Sequence, residues 1–233
     1  MEKETNQKID AVIVAAGSGT RLGYKEPKAF VPLGGKPMLE YSLEFFLSRK
    51  DIVKIVLVVP SEMLHSAKEK YACERVEVVA GGKQRWNSVS NGLVCLESEW
   101  VLIHDAARPF VTDLVIDRIL EKRDSYDCVI TVTPEVDTVR TFEGDRALET
   151  VDREKLVRVG TPQLFRRKLL IATLNSVSES EPPPTDEAVL MQKAGMEVGI
   201  AWGDPKNFKI TTLSDLETAE AIVAAKKSML LGG

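Results

Sequence analysis

IDAVIVAAGSGTRLGYKEPK, residues 9–28, is the stretch from which the rest of the chain is read. It opens on a near-continuous apolar run, Ile9 and residues 11–16, short and rich in Val and Ile. Such a run suits a strand buried on both faces, as in a parallel sheet covered by helices. It stops at Gly17-Ser18-Gly19-Thr20, small residues that let the backbone approach a ligand and present its N–H groups. Arg21 and Lys28 follow at short range. A glycine turn at the carboxyl end of a first strand is where open α/β sheets bind ligands. Backbone donors beside two cations point to a ligand that carries phosphates.

Two familiar phosphate loops do not fit. A P-loop requires G-x-x-x-x-G-K-[ST], but Leu22 stands where its second glycine belongs, and the Gly-Gly-Lys runs at 34–36 and 81–83 lack the earlier glycine. The dinucleotide fingerprint G-x-G-x-x-G fails at the same Leu22. Its second strand should also close on an acid, where this chain has Val58-Val59-Pro60-Ser61. A turn with a purely structural task would not need Arg21 and Lys28 beside it.

Working outward, strand and helix alternate. Residues 52–60, 76–80, 100–104 and 127–133 read as buried strands; 38–47, 62–71, 84–96 and a segment from Thr112, read as the cap, to Arg123 read as helices. That alternation predicts an α/β fold with a doubly wound, mainly parallel sheet. The rhythm changes at 134–155. Two short extended runs, 136–142 and 147–151, flank Glu143-Gly144-Asp145-Arg146, a turn signal, and predict a protruding β-hairpin arm. Such a hairpin is marginal alone and wants a partner surface. It either folds back on its own domain or reaches over a neighbour as a dimer arm. Beyond it, 157–160 is read as extended, Thr161-Pro162-Gln163 as a turn and 166–177 as helix. A rigid loop over 179–184 leads to a helix capped by Thr185; 197–202 and 207–210 read as strands, and 214–227 as a closing helix. No linker divides the chain, so residues 1–233 are expected to form one domain.

Composition excludes several classes. Hydrophobic content of 44% and charged content of 28% over 233 residues are those of an ordinary globular protein. A net charge of −4 argues against a protein that coats nucleic acid. No apolar run approaches the ~20 residues that span a bilayer, and the polar start MEKETNQK is unlike a secretory signal. Cys73, Cys95 and Cys128 are odd in number and widely spaced, as expected of reduced thiols in a cytoplasmic protein.

Four segments should gather at the carboxyl ends of the strands: residues 15–21 with Lys28, 81–88, 105–108 and 207–211. Asp105 directly follows an apolar strand, where a carboxylate can hold Mg²⁺ or pair with Arg108. His104 is read as a core histidine and Arg108 as structural. Gly81-Gly82 with Arg85 and Ser88 is either an ordinary strand-to-helix turn or a slot in which a base lies against the backbone. Lys209, between Phe208 and Ile210, is a third candidate cation or the solvent face of a strand.

Taken together, VIVAAGSGTRL with Lys28, GGKQRWNSV, HDAARP, DT at 137–138, VDR at 151–153, TPQ at 161–163, TDE at 185–187 and NFKIT at 207–211 resemble the 2-C-methyl-D-erythritol 4-phosphate cytidylyltransferases of the non-mevalonate isoprenoid pathway. The resemblance covers about residues 9–225; its first loop is shared by many sugar nucleotidyltransferases, while the later motifs are narrower. Lys83 stands where some members carry an acid. The resemblance implies use of CTP with Mg²⁺, release of pyrophosphate, and a homodimer whose arms complete each other's sites. It implies that Arg21, Lys28 and Lys209 are catalytic, and that Ala15, Ala16, Gly17, Gly19, Gly82, Ser88, Asp105 and Ala106 bind CTP. Asp105 would bind the metal. Thr138, Arg153 and Thr161, from the partner's arm region, would grip the acceptor together with Lys209. Rival readings are a ribitol 5-phosphate cytidylyltransferase, a guanylyl- or uridylyltransferase, and a catalytically silent nucleotide-binding regulator.

Overall fold

The computed structural model describes residues 8–17, 19, 22–24, 26–177 and 183–231. In chain order the elements are β1 (Ile9–Val14), β2 (Pro32–Leu33), β3 (Lys36–Pro37), α1 (Met38–Ser48), β4 (Ile52–Val59), α2 (Leu64–Tyr71), β5 (Val76–Ala80), α3 (Arg85–Leu93), β6 (Trp100–Asp105) and α4 (Asp113–Leu120). There follow β7 (Cys128–Pro134), β8 (Val139–Glu143), β9 (Arg146–Val151), β10 (Val157–Arg166), α5 (Arg167–Asn175), α6 (Glu187–Lys193), β11 (Val198–Trp202) and α7 (Leu213–Leu231).

Seven strands form one sheet in the order β11-β7-β10-β6-β1-β4-β5. β1 pairs in parallel with β4 and β6, β4 with β5, and β7 with β11; β10 alone runs antiparallel, between β6 and β7. The sheet is therefore doubly wound and mainly parallel, as the alternation predicts. Its continuous apolar strands are explained by burial on both faces. On one face Leu39, Leu43 and Phe46 of α1 and Val115, Ile116 and Ile119 of α4 pack on Ile13, Leu57 and Leu102. On the other, Val89 and Leu93 of α3 and Leu170 and Leu174 of α5 pack on Val12, Val56 and Ile103. Each such side chain, fully buried, contributes about 1.5–3 kcal/mol. A third cluster joins Leu22, Val31, Ala107, Ile210 and, from α7, Leu216 and Val223. It ties the first loop, the segment after β6 and the segment before α7 into one support.

β1 lies between β4 and β6, so the chain leaves it on one side and returns on the other. The switch point thus falls where Val14 is in register with both Val58 and Asp105. Ligands bind at such a crevice in open α/β sheets.

β8 and β9 form a separate two-stranded sheet, turning through Gly144 at φ +54°. Val136, Phe142 and Leu148 are exposed there, so the predicted hairpin stands off the main sheet.

Several local expectations are corrected. Thr161-Pro162-Gln163 is no turn: β10 runs through it, and the register steps from Gly160 opposite Thr131 to Gln163 opposite Ile130. The two extra residues make a bulge, which carries turn-like residues without ending a strand. Residues 207–210 are not a strand but an irregular segment, held by Ile210 N–H donating to Ala107 O at 2.9 Å. Asp186, not Thr185, caps α6, its carboxylate accepting from Val189 N–H. Thr112 occupies the cap position of α4 without a side-chain capping bond. Most of the expected rigid loop at 179–184 lies outside the described residues.

Candidate active site

At the switch point the chain builds a cleft of about 420 Å³, within the usual range of small-ligand pockets. Val14, Ala15, Ala16, Gly17 and Gly19 form one wall, with Lys28 beside them. Gly19 has φ +68°, and a Cβ there would lie 2.5 Å from Lys28 Cβ. Only glycine permits this approach, which brings the loop back on Lys28; Lys28 N–H donates to Gly17 O at 3.3 Å. Leu22, 4% exposed, anchors the loop in the third cluster.

Gly82, Lys83, Gln84, Arg85 and Ser88 form the opposite wall. A Cβ on Gly81 would lie 2.4 Å from Ala16 Cβ, and one on Gly82 would lie 2.3 Å from Asn87 Cβ. Gly81 thus lets the two walls close on each other, and Gly82 lets the turn pack on the first turn of α3. Ser88 Oγ accepts from Gly82 N–H at 3.1 Å and donates to Gln84 O at 3.2 Å, so it holds the turn it lines. Asn87 Oδ1 accepts from Gln84 N–H at 3.0 Å, capping α3.

The floor is a chain of alternating charges. Asp105 Oδ2 accepts from Lys209 Nζ at 2.7 Å, and Oδ1 from Arg85 Nε at 3.0 Å. Arg85 Nη1 also pairs with Glu187, whose side chain is 1% exposed. Burial would raise the Asp105 carboxyl, but the Arg85 and Lys209 charges outweigh it and hold the group well below the usual carboxylate range. For Glu187 burial prevails over Arg85, and its carboxyl lies above the ordinary value.

Behind the floor, His104 is fully buried. Its Nε2 lies 3.1 Å from Arg108 O, which can only accept, so Nε2 carries the hydrogen. Nδ1 then accepts from Thr161 Oγ1 at 3.2 Å, and that hydroxyl accepts from Asp105 N–H at 3.0 Å. Burial pushes the imidazole down to about 4, so it stays neutral, a core histidine as read from the sequence. Thr161 O accepts from Asn207 Nδ2 at 2.9 Å, and Asn207 O from Arg108 Nη1 at 3.1 Å. Thr161 therefore fixes both Asp105 and the segment that carries Lys209.

A second hollow of about 500 Å³ shares Arg85, Asp105 and Lys209 with the cleft and adds Arg108, Gly160 and Thr161. Two recesses thus meet at the Asp105–Lys209 pair.

Residues 9–225 match the family described as 2-C-methyl-D-erythritol 4-phosphate cytidylyltransferase. A protein of that name from Alkaliphilus metalliredigens is 38% identical over 228 residues, covering 94% of this chain and 95% of the relative. The crystal structure of a 4-diphosphocytidyl-2C-methyl-D-erythritol synthase from Anaerococcus prevotii superposes with a TM-score of 0.81 at 31% identity, covering 94% of this chain and 97% of that one. The cytidylyltransferase of Thermus thermophilus gives 0.80 at 31% identity, covering 93% and 99%. The chain belongs to this cytidylyltransferase family.

Of the residues that the family resemblance singles out, the cleft brings together Ala15, Ala16, Gly17, Gly19, Lys28, Gly82, Ser88, Asp105 and Lys209. Arg21 lies outside the described residues. Ala106 does not face the cleft: it is 0% exposed, and its N–H donates to Val14 O at 3.0 Å, tying β6 to β1. Thr161 belongs to β10 and not to the arm; it is 4% exposed. Thr138 and Arg153 are exposed and do not line the cleft of their own chain, and Arg153 Nη1 donates to Val136 O at 2.7 Å. Glu187 and Asn207 stand inside the TDE and NFKIT motifs, but sequence reasoning assigned neither a role. The available signal was Arg85, a cation at the first position of a helix, where the dipole disfavours positive charge.

Proposed function

We propose that the chain transfers the cytidylyl group of CTP to the phosphate of 2-C-methyl-D-erythritol 4-phosphate, releasing pyrophosphate and forming 4-diphosphocytidyl-2-C-methyl-D-erythritol for isoprenoid precursor synthesis. The observation that carries this reading is the meeting of two recesses at Asp105 and Lys209, with Lys28 on the nucleotide side.

The attacking group is already a phosphate oxyanion, so the reaction needs no general base. The neutral, sealed His104 accords with that. What it needs is in-line placement of two anions that repel each other, and positive charge where the α-phosphate becomes five-coordinate. Lys28 and Arg21 hold the triphosphate, and Lys209 faces the reacting phosphate from the boundary of the two recesses. Ala15, Ala16, Gly17, Gly19, Gly82 and Ser88 enclose the cytidine.

Asp105 is the one carboxylate among the described residues that line the cleft, and these residues hold no cluster of three potential metal-ligating side chains. That donor set suits Mg²⁺, which takes one or two carboxylates plus substrate phosphates rather than an all-protein cage. Held by Asp105 and the triphosphate, Mg²⁺ would supply charge neutralisation at the α-phosphate.

The chain acts as a single domain, residues 1–233, in the cytoplasm; no helix among the described residues is long and apolar enough to cross a membrane. It works as a homodimer in which residues 134–155 reach the neighbouring subunit and bring Thr138 and Arg153 to that subunit's acceptor recess. Exposure of Val136, Phe142 and Leu148 on the arm supports this, since apolar groups on a lone hairpin gain from a partner surface. The test is pyrophosphate release from Mg²⁺-CTP with methylerythritol phosphate and ribitol 5-phosphate as separate acceptors. Release with the first alone is expected; release with ribitol phosphate alone overturns the acceptor assignment.

A further inference from the structure

Glu187 opens α6, 102 residues from Arg85 in sequence, yet the two side chains are paired in the interior. Arg85 opens α3, where the helix dipole opposes a cation. Its placement therefore depends on the carboxylates around it. Its Nη1 faces Glu187, while Nε and Nη2 each stand 3.0 Å from Asp105 Oδ1. Oδ2 is left to Lys209 at 2.7 Å. A guanidinium that only joined α6 to α3 would have no need of a second carboxylate. Here it is shared, and the signs alternate from Glu187 to Lys209, two negative and two positive.

We infer that Glu187 is a positioning residue of the transfer site: acting through Arg85, it sets where the Asp105 carboxylate stands and how much positive charge surrounds it. The inference rests on the reading that Asp105 holds the divalent cation. With Glu187 neutral, Arg85 loses its lateral hold and the site gains one net positive charge. A divalent cation at Asp105 is then bound less tightly, while an anionic nucleotide is not. Loosening of a mere helix–helix brace would weaken both.

The experiment measures Mn²⁺ binding to the enzyme–CTP complex by electron paramagnetic resonance, and CTP binding without metal by calorimetry. Glu187→Gln is expected to weaken Mn²⁺ affinity about tenfold, the scale typical of groups that orient a metal ligand, and to leave metal-free CTP affinity unchanged or tighter. Glu187→Asp keeps the charge at shorter reach and should weaken Mn²⁺ about threefold; it carries the test alone if Glu187→Gln does not fold. Wild-type Mn²⁺ affinity in the folded variants, or parallel loss of Mn²⁺ and CTP, overturns the inference. Asp105→Asn separates the two levels. If it leaves Mn²⁺ affinity intact, the metal assignment itself falls; if it weakens Mn²⁺ while Glu187→Gln does not, only the role of Glu187 falls.

Discussion

Replacing Arg85 with Met should cost stability in a pH-dependent way. The substitution removes the partner of Glu187, which is 1% exposed, and one of two cations on Asp105. Breaking a buried pair by removing one member costs about 3–5 kcal/mol, because an uncompensated charge stays behind. Arg85 is itself 27% exposed, which places the expectation near the lower end, about 3 kcal/mol. For a chain of this length that lowers the melting temperature by about 6–12 °C. The pH dependence follows from the two carboxyls. Glu187 already titrates above its ordinary value because of burial, and loss of Arg85 raises it further. A raised acid contributes stability below its unfolded value that is lost as pH rises through the folded value. Asp105 is depressed by its cations and adds stability above its unfolded value, a contribution the substitution reduces. The Asp105 loss is the same at about pH 5.5 and about pH 8, both above its unfolded value, so the Glu187 effect alone makes the deficit larger at the higher pH. Calorimetric unfolding at the two pH values is the assay, and Glu187→Gln placed on Arg85→Met should restore most of the loss. A deficit that does not change with pH, or one below about 1 kcal/mol, refutes the reasoning.

Lys28→Ala should lower turnover by about 10²–10³ with unchanged melting, and a variant keeping more than about a third of the rate removes Lys28 from the mechanism. Proton NMR of the His104 ring should give a midpoint near 4. Because that value is depressed, its contribution to stability is complete above the unfolded histidine range and is lost as pH falls toward the folded midpoint; a midpoint at the ordinary histidine value contradicts the sealed network. Deleting residues 136–151 should weaken self-association in sedimentation and acceptor binding more than CTP binding, whereas a stable, active monomer sinks the arm assignment.

The strands and the cleft were legible because buried parallel strands leave continuous apolar runs, and because the glycine loop and Asp105 sit at strand ends. The β10 bulge was not, since Thr161-Pro162-Gln163 has turn chemistry and only its pairing with Thr131 and Ile130 keeps it in the sheet. The alternation at 207–210 mimicked a strand, but Phe208 packs tilted against Phe110, ring centroids 6.1 Å apart, and Ile210 enters the third cluster. Glu187 enters the sequence reading as the last residue of the TDE motif at 185–187, with no role assigned to it. Its reach to Arg85 depends on how α6 and α3 pack across the sheet face, which no local pattern encodes.

The central claim is that the acceptor phosphate displaces pyrophosphate directly at the Asp105–Lys209 boundary, with no covalent enzyme intermediate. The stereochemical course at the α-phosphorus tests it most directly, using CTP made chiral there by a single sulfur and methylerythritol phosphate as acceptor. A single in-line displacement gives inversion. Retention would mean two displacements and a nucleophile on the protein, and would contradict the account.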